Sequence, residues 1–263
     1  MRLLKQVSII TLLLAFSPGT PCQQSPHTVR RDSDAMTLIT KVLSAAGGVA
    51  GANSISDVTG TGKVTFYWAD QEVSGSATLK SRAGEQLKLE AVLAGGKPRW
   101  TVSRGAGVFV DIADTKHRIP VVDAKSLAML MVPLTYLTKA IENTDVSIEF
   151  LGIVDHAGRQ LQEVKIETLG VMAETDPIPG HTKCVFVDPN TQRIFSILDY
   201  TWVPENPRIQ ISHEVVYTDY KVIQGVLIPT SISNFVSEQR TWDLQLDSIS
   251  LNGGLSESEF EVE

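Results

Sequence analysis

Five histidines (His27, His117, His156, His181 and His213) and two cysteines (Cys22 and Cys184) are the side chains best suited to metal binding or nucleophilic attack. No two of the histidines sit at metal-ligand spacing. His181 and Cys184 make the one close His/Cys pair, half of a four-ligand zinc site at most, so neither a metal nor a cofactor is expected. Gly-x-Ser-x-Gly, His-Glu-x-x-His and a phosphate-binding glycine loop are all absent from the sequence. Asp111, Asp114 and His117 could form an acid/base cluster, but such residues more often close a hairpin and face water. No nucleophile with a nearby base can be named. Binding without catalysis is therefore the expectation, and a hydrolase built on the acidic cluster ranks below it.

What the chain does carry is an excess of bulky apolar residues. Phe66, Trp68, Trp100, Phe186, Tyr200, Trp202, Phe235 and Trp242 are spread along most of its length. For any one of them, packing in a plain core is the simpler role. Together they permit an apolar cavity of the kind that holds lipidic ligands in curved β-folds. The expected lining is Phe66, Trp68, Leu89, Trp100, Val102 and Val110. Met129 and Met131 would serve as an adaptable lid, because unbranched thioether side chains repack easily.

These residues must be positioned mostly by strands. Apolar residues alternate with polar ones through Val64–Trp68, Ala77–Leu79, Leu87–Leu93, Trp100–Val102 and Val108–Ile112. Turn formers such as Ala83-Gly84, Gly95-Gly96 and Gly105-Ala106-Gly107 separate the runs. This predicts an antiparallel meander with one apolar face. Further strands are expected near 145–154, 159–169, 183–188, 192–201, 208–221, 225–236 and 240–251. In the last of these the alternation slips between Leu246 and Ile249, which predicts a β-bulge at Asp247-Ser248. A sheet of about a dozen strands must curl or split. Two segments have helical spacing instead. Leu38, Ile39, Val42, Leu43 and Ala46 predict a helix over 34–46 that ends at Gly47-Gly48. Leu127 to Ile141 predict a second helical segment over 123–143, kinked or split at Pro133. The fold class is mainly β (α+β): a strongly curved antiparallel sheet wrapped around an N-terminal helix and a central helical segment.

The N-terminus reads as an export signal. Arg2 and Lys5 precede an uncharged, mostly apolar run from Val7 to Phe16, and Ser17-Pro18-Gly19 breaks it. The run is too short to span a bilayer, which takes about 20 apolar residues, and no later stretch is long enough. Residues 1–22 are therefore expected to be a signal peptide, residues 23–33 a loose lead-in and residues 34–263 a single domain. Cys22 is a possible lipidation site, although Gly19 and Pro21 fit a lipoprotein signal poorly. Ordinary cleavage nearby is the favoured reading. Loss of residues 1–22 takes 23 basic residues to 21 against 30 acidic ones, a formal charge of −9. So acidic a chain has little attraction for nucleic acid or anionic membrane surface.

The most specific local pattern is a series of hairpins. Asp155-His156-Ala157-Gly158-Arg159 is one turn, and Phe186-Val187-Asp188-Pro189-Asn190-Thr191 is a strand ending in another. Tyr217 to Pro229 holds a strand, the turn Gln224-Gly225 and a second strand. Ile249-Ser250-Leu251-Asn252 and Leu255 to Phe260 follow. Their order, after a helix ending Ala45-Ala46-Gly47-Gly48, resembles the LolA-like family of periplasmic lipoprotein carriers and their exported relatives. The resemblance implies an incomplete β-barrel, closed by helices, that holds acyl chains in an apolar cavity. It implies a non-enzymatic carrier or sensor of lipid or lipoprotein acyl chains in the periplasm, possible envelope-protein partners and no nucleic acid. The alternative is an interaction module of the cell envelope whose half-barrel is filled by its own side chains.

Overall fold

The computed structural model describes residues 29–68, 71–168, 171–172, 177–178, 181–203 and 206–262. The expected signal peptide and Cys22 lie outside the described residues. Helix α1 (Ser33–Ala45) begins where the Asp32 carboxylate accepts from the Asp34 amide at 2.9 Å. This caps one of the first-turn donors that the helix cannot satisfy itself. Its apolar face, Ala35, Leu38, Ile39, Val42 and Leu43, is buried. Gly47 turns the chain at φ +111°, and an added Cβ there would sit 2.4 Å from the Gly225 carbonyl oxygen. Only glycine meets both demands. A short helix α2 (Gly48–Asn53) follows where the sequence predicted only a stop.

Six strands come next: β1 (Asp57–Trp68), β2 (Gln71–Arg82), β3 (Gln86–Val92), β4 (Arg99–Ser103), β5 (Ala106–Val110) and β6 (Lys116–Arg118). The short β6 was not foreseen; it follows the Asp111 turn and pairs with β5. The central segment is two helices, α3 (Val121–Leu130) and α4 (Pro133–Glu142), with Pro133 opening the second. At a helix start the missing N–H of proline costs nothing, which explains a split rather than a kink. The chain then forms β7 (Val146–His156), β8 (Arg159–Thr168), the small pair β9 (Val171–Met172) and β10 (Pro177–Ile178), then β11 (His181–Val187) and β12 (Ile194–Val203). It ends with β13 (Asn206–Ile223), β14 (Val226–Val236), β15 (Gln239–Leu251) and a 3₁₀ turn at Glu257–Phe260.

Thirteen of these strands make one antiparallel sheet in the order β6-β5-β4-β3-β2-β1-β15-β14-β13-β12-β11-β8-β7. The sheet consists of two meanders joined where β1 pairs with β15, and it is an incomplete, curved β-barrel, open between β6 and β7. Thr61 faces Ser248 and Gly62 faces Leu246, so Asp247 is the extra residue of a bulge at the predicted position. Helices α3 and α4 connect the two edge strands. Part of the lead-in covers the β7 edge: Ile148 donates to the Arg30 carbonyl at 2.8 Å and accepts from the Asp32 amide at 2.9 Å. The Arg31 guanidinium donates to the carbonyls of Ile141 (2.7 Å) and Ala140 (3.2 Å), satisfying orphan acceptors at the end of α4. The core lies between the helices and the inner face of the sheet, with Leu43, Leu79, Leu87, Leu137, Ile197, Ile232 and Leu244 almost fully buried. Tyr217 reaches from β13 to donate to the Leu130 carbonyl at 2.7 Å and so pins the end of α3. No helix among the described residues is long and apolar enough to cross a membrane.

Candidate functional site

A cavity of about 670 Å³ lies between helices α3 and α4 and strands β8, β11 and β12. That volume falls within the range of small-molecule sites, about 300–1,000 Å³. Met129 from α3, Tyr136 and Ala140 from α4, Val146 from β7 and Ile166 from β8 give it an apolar wall. Ser126, Lys183 and Asp199 form its buried polar floor. Arg104, Lys125, Lys139 and His181 stand around its more open side. A second recess of about 480 Å³ holds Arg82, Glu85, Arg104, Lys139 and Glu257. Its charges are largely spent on one another, with Lys139 2.9 Å from Glu85 and Arg104 2.6 Å from Glu257.

The polar floor is a network of cross-strand pairs. Lys183 faces Asp199, and Asp199 faces His213. The Lys183 ammonium donates to both the Asp199 carboxylate and the Ser126 hydroxyl, and Ser126 donates to Asp199. His213 places Nδ1 3.2 Å from Asp199 Oδ1 and Nε2 2.6 Å from Asn234 Oδ1. Asn234 in turn donates to Thr241 at 2.6 Å. Burial alone would raise the Asp199 carboxyl, but the hydrogen bond from His213 and the charge of Lys183 outweigh it. Together they hold Asp199 well below the usual carboxylate range. Burial also raises the nearby Asp123 carboxyl and the Tyr136 phenol.

A serine beside a lysine can be a nucleophile and its base, but only if the amine is neutral. Here Ser126 donates to the Asp199 carboxylate and accepts from Lys183, so its hydroxyl proton is directed at Asp199 and not at the amine. Burial, followed by the Glu163 hydrogen bond, pushes the Cys184 thiol up to about 12, so it is not a ready nucleophile either. His181 and Cys184 are three apart on one strand and therefore point to opposite faces; His181 lines the cavity and Cys184 does not. Among the described residues no group of three His, Cys, Asp or Glu side chains is placed to hold a metal ion. Asp111 closes its turn, accepting from the amides of Ala113 and Thr115 at 2.9 Å, with exposed His117 Nε2 also 2.9 Å away.

Of the eight residues expected to line a cavity, this one brings in Met129. Phe66, Leu89, Val102 and Met131 are buried in the core, whereas Val110 is buried on the opposite face of the sheet, paired with Arg99. Trp68 is 40% exposed. The aromatic members form a stacked row instead. Phe66 lies 5.4 Å from Trp68 and 5.6 Å from Trp100, Trp100 lies 4.5 Å from Phe109, and Phe109 lies 5.9 Å from His117. The network residues that sequence reasoning passed over carried a readable signal. Lys183 is in phase with the inward Val185 and Val187, Asp199 with Ile197, and His213 with Val215 and Tyr217. A charge at an inward strand position must be paired, so it marks a special site.

No protein-family model matches the sequence, and no curated protein matches it. Solved structures do resemble it. A LolA superfamily protein from Nitrosomonas europaea shares 10% identity and a TM-score of 0.50, over 87% of this chain and 97% of that one. A DUF1329 family protein from Desulfovibrio piger shares 10% identity at the same TM-score, over 86% and 97%. An outer membrane lipoprotein-sorting protein domain from Vibrio parahaemolyticus shares 11% identity at a TM-score of 0.49, over 86% and 95%. The chain has the LolA-like fold.

Proposed function

We propose that this protein is an exported, non-enzymatic binding protein that holds lipid or lipoprotein acyl chains for transport or sensing in the cell envelope. The observation that carries the reading is the cavity of about 670 Å³ with the apolar wall of Met129, Tyr136, Ala140, Val146 and Ile166, set in a LolA-like fold. Each methylene moved from water into such a space contributes about 0.8 kcal/mol, so one chain binds without any covalent step. The signal-like residues 1–22 support export, and Cys22 offers an anchor if it is kept and lipidated.

Native mass spectrometry on protein purified from a bacterial envelope without detergent tests the reading. Acyl or phospholipid adducts released on unfolding are the expected result. A clean apo mass that takes up no added fatty acid or lipopeptide would overturn it. The competing interaction module is favoured by one observation: Leu151 and Ile153 on the edge strand β7 are 44% and 62% exposed. An edge strand with apolar side chains facing water can pair with an envelope partner.

A further inference from the structure

We infer that the ligand is a single-chain amphiphile with an anionic headgroup, a carboxylate or a phosphate, held at the mouth of the cavity by Lys125 and Arg104. The inference rests on the acyl-chain reading and adds the chemistry of the ligand's polar end. Its basis is charge out of keeping with the rest of the molecule. The whole chain is acidic, with a formal charge of −7. Yet four basic side chains line this cavity, Arg104, Lys125, Lys139 and Lys183, against two acidic ones, Glu85 and Asp199.

The pairing shows where the excess sits. Lys183 is neutralised by Asp199 in the floor and Lys139 by Glu85. Arg104 shares one carboxylate, Glu257, with Arg82, so two guanidinium groups divide a single negative charge. Lys125 has no carboxylate partner among the described residues. Its stem lies over Gly105, where an added Cβ would stand 3.0 Å from the Lys125 Cε. The missing side chain at Gly105 thus leaves room for that stem at the edge of the cavity. Uncompensated positive charge is at the exposed end of the cavity, and the apolar wall is behind it. A chain buried against Met129, Val146 and Ile166 would leave an anionic head beside Lys125 and Arg104. An uncharged head would gain nothing there, and a cationic one would be repelled.

The test compares decanoate, decyl phosphate, decanol and decylamine, each below its micelle-forming concentration, by displacement of a fluorescent acyl probe. The wild type, Lys125→Gln and Lys125→Glu are measured side by side. The two anions should bind the wild type at least tenfold more tightly than decanol, and decylamine the least tightly. Lys125→Gln should lose part of that preference and Lys125→Glu nearly all of it, with decanol affinity unchanged within twofold. Lys125 is exposed, so these variants should fold, and an unchanged thermal midpoint checks this. Tighter binding of decyl phosphate than of decanoate would assign the head to a single-chain lysophospholipid, and the reverse to a fatty acid. Equal binding of decanol and the anions, or a preference untouched by Lys125→Glu, would overturn the anionic head and leave the acyl-chain reading standing. Failure of all four to bind would overturn both.

Discussion

The amino-terminal arm of the sheet, β1 to β6, packs the apolar side chains of its inner face into the core, with helix α3 lying against β3, β4 and β5. The carboxy-terminal arm leaves about 670 Å³ between β8, β11, β12 and the helices. The two arms are alike in strand pattern and differ in what their inward positions carry. On the first arm Val64, Phe66, Leu79, Leu87, Leu89 and Val102 are large or branched, apolar and buried, and they share one core with the helices. On the second arm Lys183, Asp199 and His213 take inward positions at one end of the strands. Such groups need fixed partners, and a hydrogen-bonded network cannot shrink to fill space as aliphatic groups do. The apolar wall beside that network is left facing a gap. Aromatic bulk thus signals filled space, while charge in the apolar phase of a strand signals the open site.

The comparison can be broken most forcefully at the network. Asp199→Ala leaves the Lys183 ammonium buried without its partner and should cost about 3–5 kcal/mol of stability in denaturant titrations. Lys183→Met combined with Asp199→Leu should recover most of that loss. If the single substitution is as mild as a surface change, the network does not hold the second arm in shape. The same pair sets an acid limit. Because the Asp199 carboxyl is depressed in the folded state, its contribution is present above the unfolded aspartate value of about 3.9 and is lost as pH falls below it. Stability measured from pH 6 down to pH 2 should therefore fall more steeply in wild type than in Asp199→Asn.

Next in size, Leu89→Ala on the first arm should cost about 3 kcal/mol through the hole it leaves. Its affinity for an acyl probe should match wild type, since Leu89 packs away from the cavity; a large loss of affinity would move the site to the first arm. Met129→Trp should do the reverse. By filling the cavity it should weaken probe binding at least tenfold, with a change in folding stability below about 1.5 kcal/mol. The smallest effect is expected for Trp68→Ala. With Trp68 at 40% exposure, its loss should shift stability by no more than about 1 kcal/mol and leave binding unchanged.

Local chemistry made most of the architecture legible. Alternation placed the long strands, Gly47 ended the first helix, Pro133 divided the central one, and the slip after Leu246 marked the bulge at Asp247. Each follows from backbone geometry over a few residues, which sequence spacing reports directly. The short β6 and α2 were missed because neither has enough residues to show a period. The eight candidate lining residues were read from alternation and bulk. Those properties tell which face of a strand a side chain occupies, not how far away the opposing wall stands. That distance depends on where α3 and α4 cross the sheet. Contacts such as Tyr217 to Leu130 and Arg31 to the end of α4, 87 and 110 residues apart in the chain, are among those that set it. The sequence by itself determined a curled antiparallel sheet with one apolar face and two helical segments to cover it. Only the tertiary structure decided which part of that face is filled and which stays open, because a cavity is a relation between surfaces that meet through distant contacts.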